Sequence, residues 1–380
     1  MLAQIKIYQI IRTRTIEKHN INLMRTIKLQ DYHVSIGNMW NEIQNVIDFN
    51  AVSKYFVLVD SMTREYCLPT FLEKSQLKPD GIIEIPAGET YKNIETCQRV
   101  WNELFLHEAD RQAMLINLGG GVVGDLGGFV ASTYKRGIKF IQVPTTLLSQ
   151  LDASIGGKVG VDFLSLKNAL GVFNNPKAVF IHPGFYETLS DRQLKSGFAE
   201  ALKHALIADK TMWDAIKNIS DLRSIDWVPF LEESLLIKKR IVENDPYEKG
   251  PRKALNFGHT IGHAIEGVLL DSARPLLHGE AVFLGMIAES KIAHLKGFLD
   301  ENELNEITNH LRQYIDFTFD LRNRDMITNL IKGDKKNEGD KILCTLLSSI
   351  GHYAINQEIT LAEVEAGLIY LEEQLDYSNV

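Results

Sequence analysis

An apolar run, Ala113 to Leu118, empties into Gly119-Gly120-Gly121-Val122-Val123-Gly124-Asp125, and an apolar helical stretch follows. A short apolar run closed by glycines reads as a buried strand turning into a helix. That commits the surrounding chain to a layer of strands and helices, and other segments follow the same pattern. Tyr55 to Asp60, Lys139 to Pro144 and Ala178 to His182 are further runs of strand length, whereas Asn93 to Leu106 and Gly128 to Tyr134 have helical periodicity. Strands alternating with helices predict a parallel sheet in an α/β layer. After Pro183 long amphipathic patterns dominate, interrupted by a strand-like stretch at Lys341 to Leu347. The expected fold class is α/β followed by α: an extension over residues 1–25, an α/β domain over 26–183 and a mainly helical domain over 184–380. Asp245 to Gly250 reads as a loop inside the last domain, not as a linker.

Composition narrows the function. With 380 residues, 45% apolar and 24% charged, the chain is a globular protein of two or three domains and excludes a disordered or collagen-like one. No window of about 18 uninterrupted apolar residues occurs, so no membrane span is expected. A net charge of −8 argues against nucleic acid as partner, because a phosphate-backbone binder needs a basic face. Cys67, Cys97 and Cys344 are scattered and odd in number, which points away from a disulfide framework or cysteine zinc site and towards a reducing cytoplasm. Residues 1–25 are mildly basic but lack the apolar core and cleavage site of a secretory signal. They read as an added strand, a frayed tail, or sequence upstream of a start at Met24.

The glycine turn contains G-x-G-x-x-G after a strand, where backbone and helix amino terminus can approach a pyrophosphate. A plain tight turn would look the same. A Rossmann domain also wants an acid about 20 residues further on, and residues 140–146 hold none; the nearest strand-end acid is Asp60, upstream. Hydroxyls, glycines and cations then crowd together in Arg136-Gly137, Pro144-Thr145-Thr146, Asp152 to Lys158 and Lys167-Asn168. This is either a solvated polar loop or a site for a polyhydroxylated or phosphorylated ligand.

Further on, Arg252, Asn256, His259, His263 and Glu266 recur at spacings of four, three, four and three, which predicts one polar helix face. Gly258 and Gly262 weaken that helix but admit close approach of another backbone or a cofactor. His259-Thr-Ile-Gly-His263 lacks the glutamate of a zinc protease, and a bare pair of histidines is often ordinary. His278-Gly279-Glu280 and Glu200-Ala-Leu-Lys203-His204 alter that balance. One glutamate and two histidines with open positions would make a catalytic zinc site. Spacing alone leaves open which of His259, His263 and His278 would bind.

Taken together these segments resemble the 3-dehydroquinate synthases. The resemblance spans about residues 55 to 355. It rests on Gly88-Glu-Thr-Tyr-Lys92, the glycine turn, Thr133 to Gly137, Val143 to Leu148, Asp152 to Lys158, Lys167-Asn168, Gly197 to Glu200, Leu255 to Thr260 with Gly262-His263, Leu277 to Glu280 and Asp334 to Lys336. It implies an NAD-binding α/β domain, a helical metal-binding domain, an active site in the cleft between them, and a homodimer. It also implies conversion of 3-deoxy-D-arabino-heptulosonate 7-phosphate to 3-dehydroquinate and phosphate. In that reaction the C5 hydroxyl is oxidised with NAD, phosphate is eliminated, the hydride returns, and an intramolecular aldol step closes the ring.

By resemblance, Glu200, His259 and His278 hold Zn²⁺, Co²⁺ or another divalent metal, and His263 serves the proton relay at C5. Lys158, Asn168, Arg136, Lys336 and Lys335 bracket the phosphate, with Arg136 supplied by its own or a partner subunit. Lys167, Lys238, Arg252 and Asn256 hold the carboxylate, the hydroxyls and the nicotinamide side, and Asp152 and Lys203 meet substrate hydroxyls. Such a cation group reconciles an acidic chain with an anionic substrate. For NAD, Asp60, Glu89 and Lys92 hold the adenosine half, Gly121, Val122, Val123, Gly124 and Asp125 meet the pyrophosphate, and Thr145, Thr146, Phe185 and Thr188 complete the pocket, beside Lys158 and Lys167.

The sequence departs from the pattern at Val159, Gln193, Leu164 and Leu166, which bear on loop shape more than on chemistry. Cyclases acting on sedoheptulose 7-phosphate or glucose 6-phosphate are the neighbouring alternative, but Lys203, Asn256, His263 and Asp334 to Lys336 keep the dehydroquinate-synthase form. Polyol dehydrogenases would not need so many cations. A non-catalytic NAD- or metal-binding regulatory descendant should have lost an essential group, and every such position is occupied.

Overall fold

The computed structural model describes residues 23–153, 155–164, 166–219, 221–270, 272, 274–317, 324–333 and 341–375. The chain folds as two compact units. One runs up to Leu194 and takes in Ile225–Lys239 (the sheet unit); the other holds Lys195–Ser224 and the chain from Arg240 onward (the helical unit).

The sheet unit is built on seven strands: β1 (Met24–Lys28), β2 (His33–Gly37), β3 (Tyr55–Asp60), β4 (Gly81–Ile85), β5 (Met114–Gly119), β6 (Lys139–Pro144) and, after a separate hairpin, β9 (Val179–Ile181). Their order across the sheet is β1-β2-β9-β6-β5-β3-β4, and every neighbouring pair is parallel except β1 with β2. Thus the expected parallel sheet is present, with one antiparallel edge strand. The hairpin is β7 (Lys158–Phe163) and β8 (Leu166–Phe173).

The near-continuous apolar strands follow from burial on both faces. Successive residues of β3 point to opposite sides. Val57 and Val59 join Ile116, Ile141 and Phe180 in one core, closed by Trp40 and Ile43 of α1 (Trp40–Phe49) and, beyond α2 (Ser61–Tyr66), by Leu68 and Phe71 of α3 (Leu68–Ser75). Phe56 and Leu58 join Leu115 and Phe140 in the other. It is closed by Val100 and Leu104 of α4 (Ile94–Leu106) and by Val123, Leu126 and Val130 of α5 (Gly121–Thr133). Helix α5 begins at Gly121, well before Gly128, the start that periodicity predicts. Its glycines hide that periodicity, and two of them permit close packing: a Cβ on Gly127 would stand 2.1 Å from Asn117 Oδ1, and one on Gly128 2.4 Å from Val159 Cγ1.

The helical unit contains part of α6 (Asp191–Ala208), then α7 (Lys210–Ile216), part of α8 (Trp227–Asn244), α9 (His259–Val268), α10 (His278–Leu295), α11 (Glu301–Leu311), α12 (Arg324–Lys332) and α13 (Leu361–Leu375). Helix α10 is buried almost all round from Gly279 to Ala293 and packs against α9, α11 and α13, as a helix apolar on every side must. The strand expected at Lys341 to Leu347 is β10 (Ile342–Ser349), and it pairs antiparallel with β11 (His352–Ile359), which periodicity does not reveal.

Candidate functional site

The five polar residues expected on one helix face do not share a helix. Arg252 and Asn256 lie in a 3₁₀ segment, Pro251–Asn256, and the chain turns at Gly258 with φ +80° before α9 starts at His259. Only glycine takes that turn without strain, and a Cβ there would also stand 2.5 Å from Met286 Cγ. His259, His263 and Glu266 remain on one face of α9.

Close backbone contact fixes the helices. At Gly285 of α10 a Cβ would meet Gly258 O at 1.9 Å and Gly262 N at 2.7 Å. The fully buried Glu289 of α10 completes the join: Oε2 accepts from Gly258 N at 2.6 Å and Oε1 from Ile261 N at 3.0 Å. A carboxylate there satisfies amides that a helix start leaves open and suits the positive end of the dipole. His278 opens α10, whose first turn is held by Glu280: Oε2 accepts from Leu277 N at 2.7 Å while Oε1 pairs with Arg274 Nη2 at 3.0 Å. Nearby, Gly279 N donates to Ser196 Oγ of α6 at 3.1 Å.

This framework converges on Glu200. Its side chain is fully buried on α6, and Oε1 lies 3.8 Å from His259 Nε2 and 4.0 Å from His278 Nε2. Lys203 Nζ lies against Oε2, yet neither carboxylate oxygen completes a well-directed hydrogen bond. A buried carboxylate in that condition is costly unless something else meets it. The rings point correctly: His259 Nδ1 is 3.0 Å from Phe257 O and His278 Nδ1 is 3.3 Å from Glu266 Oε2. With Nδ1 protonated, each Nε2 is left as a lone-pair donor towards Glu200. The exposed His263 completes a triangle of imidazoles, its centroid 5.0 Å from that of His259 and 5.5 Å from that of His278; one ring nitrogen from each of the three lies within 4.8 Å of the others. Carboxylate oxygen and imidazole nitrogen are the donors a divalent zinc-type ion takes, so the residues present fit such a metal.

Close in sequence, Arg252 is buried, with Nη1 donating to Pro246 O, and Asn256 Nδ2 donates to Glu248 Oε1 at 2.9 Å. Sequence reasoning does not single out Glu248; its loop position, at φ +57°, carries no periodic signal. Asp245 anchors the loop. Burial opposes its ionisation, but the amides of Lys249, Gly250 and Arg252 outweigh that and lower its pKa.

In the sheet unit, the glycine turn leads from β5 into α5 with Gly120 as N-cap, which aims free amides of α5 outward as an anion site requires. Asp60, at the end of β3, caps α2 through Oδ1, which accepts from Thr63 N at 2.7 Å. Thr145 N donates to Gly119 O at 2.9 Å, and Thr146 Oγ1 bonds Ser149 Oγ at 2.9 Å. Thr188 Oγ1 donates to the carbonyl of the buried Phe185 at 3.4 Å. Buried Lys92 donates to Asp125 Oδ2 and to Asn168 Oδ1, both at 2.6 Å, with Glu89 at 3.9 Å. Burial alone would lower its pKa; Asp125 and Glu89 outweigh it and raise the pKa. Buried Lys238 of α8 pairs with Asp152.

Lys158 and Lys167 are exposed on the β7–β8 hairpin, and Asn168 sits there at φ +50°. Arg136 is exposed, at φ +69°, just after α5. Of the departures, Leu164 takes φ +53° in the hairpin turn. Lys335 and Lys336 lie outside the described residues.

Residues 82–196 match the amino-terminal, and residues 197–337 the carboxy-terminal, sequence model of 3-dehydroquinate synthase. The chain belongs to the 3-dehydroquinate synthase family. It is 38% identical over 342 residues to the 3-dehydroquinate synthase of Parabacteroides distasonis, covering 88% of this chain and 95% of that one. Against that of Campylobacter concisus the identity is 40% over 345 residues, covering 90% and 97%. Among solved structures, 2-epi-5-epi-valiolone synthase from Streptomyces hygroscopicus, with NAD⁺ and Zn²⁺ bound, superposes with TM-score 0.81 at 27% identity, over 92% of this chain and 99% of that one. A 2-deoxy-scyllo-inosose synthase shares the fold, with TM-score 0.78 at 24% identity over 92% and 100% of the two chains. Among the described residues, no helix is long and apolar enough to cross a membrane.

Proposed function

We infer that the chain is a 3-dehydroquinate synthase, turning 3-deoxy-D-arabino-heptulosonate 7-phosphate into 3-dehydroquinate and phosphate in the shikimate route to aromatic amino acids. The observation that carries the catalytic part of this reading is Glu200, a buried carboxylate faced by two imidazole nitrogens and given no directed hydrogen bond. Glu200, His259 and His278 are the residues that would hold a divalent metal. When bound, that metal supplies Lewis acidity to a substrate hydroxyl, and NAD supplies a reversible hydride acceptor at C5.

The chain's own residues supply binding and proton handling. Exposed His263, beside the proposed ligands but outside the set, would take the C5 hydroxyl proton and return it after reduction. Lys158 and Arg136 would bind the phosphate, joined by Asn168. Lys92 uses that residue's Oδ1 and so leaves its Nδ2 to donate. Lys335 and Lys336 belong to the same proposal.

Arg252, preset by Pro246 O, would orient the carboxylate, and Asn256, preset by Glu248, a hydroxyl. Lys238 with Asp152, Lys203 and Lys167 would hold the remaining oxygens. For NAD, the amides from Gly121 to Asp125 would meet the pyrophosphate. Asp60 uses Oδ1 for its cap, and Oδ2 would accept from ribose hydroxyls. Glu89, Thr145, Thr146, Phe185 and Thr188 complete that side, and Lys92 acts through Asp125.

A homodimer and a cytoplasmic location belong to the same reading; the three cysteines are buried thiols, as a reducing compartment allows. The reading is tested by phosphate release from metal-loaded protein with the heptulosonate phosphate and catalytic NAD. Release that requires NAD, accumulates no NADH and yields a product of dehydroquinate mass is expected. Turnover of sedoheptulose 7-phosphate instead would move the chain to the neighbouring cyclases.

A further inference from the structure

The two histidines facing Glu200 are anchored differently. His259 donates a hydrogen bond from Nδ1–H to a neutral backbone carbonyl, Phe257 O, but His278 faces the carboxylate of Glu266. Glu266 is only 5% exposed, and a carboxylate so placed is costly unless it serves a partner. It lies two turns beyond His259 on the same face of α9. The backbone of His278 is already fixed by Glu280 on Leu277 N and by Gly279 on Ser196. What those contacts leave undetermined is the rotation and tautomer of the His278 ring.

We propose that Glu266 is a positioning residue of the metal centre, reaching from α9 to accept a hydrogen bond from Nδ1–H of His278 and hold its Nε2 towards Glu200. The proposal rests on the ligand set given above and deepens it. A carboxylate on the far nitrogen makes the imidazole a stronger donor than a carbonyl does. It also offsets part of the charge that a dication would bring beside the buried Lys203. His259 and His278 would then be unequal ligands, one backed by a carbonyl and the other by a carboxylate.

The test is metal affinity of the full-length protein, measured by chelator competition with Zn²⁺ and Co²⁺, with circular dichroism of the metal-free forms as the folding control. Glu266→Gln should weaken binding about 10- to 100-fold and change the intensity of the Co²⁺ ligand-field bands. In a His278→Ala background the same substitution should weaken binding no further, because Glu266 acts through that ring. Wild-type affinity and spectrum in Glu266→Gln, with binding weakened in His278→Ala, would overturn the proposal and leave the ligand set standing. Wild-type affinity in His278→Ala would overturn the ligand set itself. Should glutamine disturb folding, Glu266→Asp keeps the charge but withdraws it by one methylene. Its affinity should fall as well, and undiminished binding by the folded aspartate variant would equally overturn the proposal.

Discussion

Lys92 in the sheet unit and Glu200 in the helical unit are both buried charges, 5% and 0% exposed, and their surroundings differ. Lys92 meets a carboxylate and an amide oxygen at ordinary hydrogen-bond distance, and its Asp125 partner lies in the first turns of α5. Glu200 has a lysine against one oxygen and two imidazole nitrogens about 4 Å from the other, with no directed hydrogen bond to either. The first arrangement is complete within the protein and sets a loop in place. The second is a donor set that a cation would complete. Buried charge can therefore be a fastening in one unit and, on the proposed reading, a metal-binding group in the other; its hydrogen bonds differ accordingly.

The contrast can be broken at several points. Glu200→Gln should have the largest effect, abolishing tight metal binding and lowering kcat about a thousandfold, since a Lewis acid contributes several kcal/mol to the transition state; steady-state phosphate release measures it. Lys92→Met should act on stability: breaking a buried pair and leaving Asp125 uncompensated costs about 3–5 kcal/mol, read from urea unfolding. Glu289→Gln should cost less, about 1–3 kcal/mol for a buried amide left unpaired, with metal affinity falling because α9 begins there. The smallest effect near neutrality concerns pH. Burial lowers the pKa of His182 in the sheet unit and His310 in the helical unit, each to about 4. The unfolded chain, with ordinary histidines near 6.5, binds more protons between those values. Stability from both is full above about pH 6.5 and falls as pH drops towards about 4, so urea midpoints should decline over that window and decline less in His310→Leu.

Much of this was legible in the sequence because it is local. β3 and β6 have the expected limits, since an apolar run buried on both faces is defined by composition alone. His259, His263 and His278 announced themselves by type and spacing. The rest depends on contacts between distant residues. No pattern shows that Gly258 would divide the polar face into a 3₁₀ segment and a helix. Glu289 looks like an ordinary helix glutamate until α9 and α10 are packed together, and Glu266, legible as part of the polar face, meets its partner His278 only then. Asp60 was legible as an acid at a strand end, but its duty as cap of α2 needed the backbone. β11 escaped because its residues alternate weakly, with most of them partly exposed.

The three imidazoles of α9 and α10 lie close enough to form a metal site by themselves, so the role of Glu200 turns on His263. The direct measurement is Co²⁺ affinity of His263→Ala beside its phosphate-releasing activity. Affinity close to that of the unaltered chain is expected, with turnover lost. Metal binding lost in His263→Ala and retained in Glu200→Gln would contradict it and assign the ion to the three histidines.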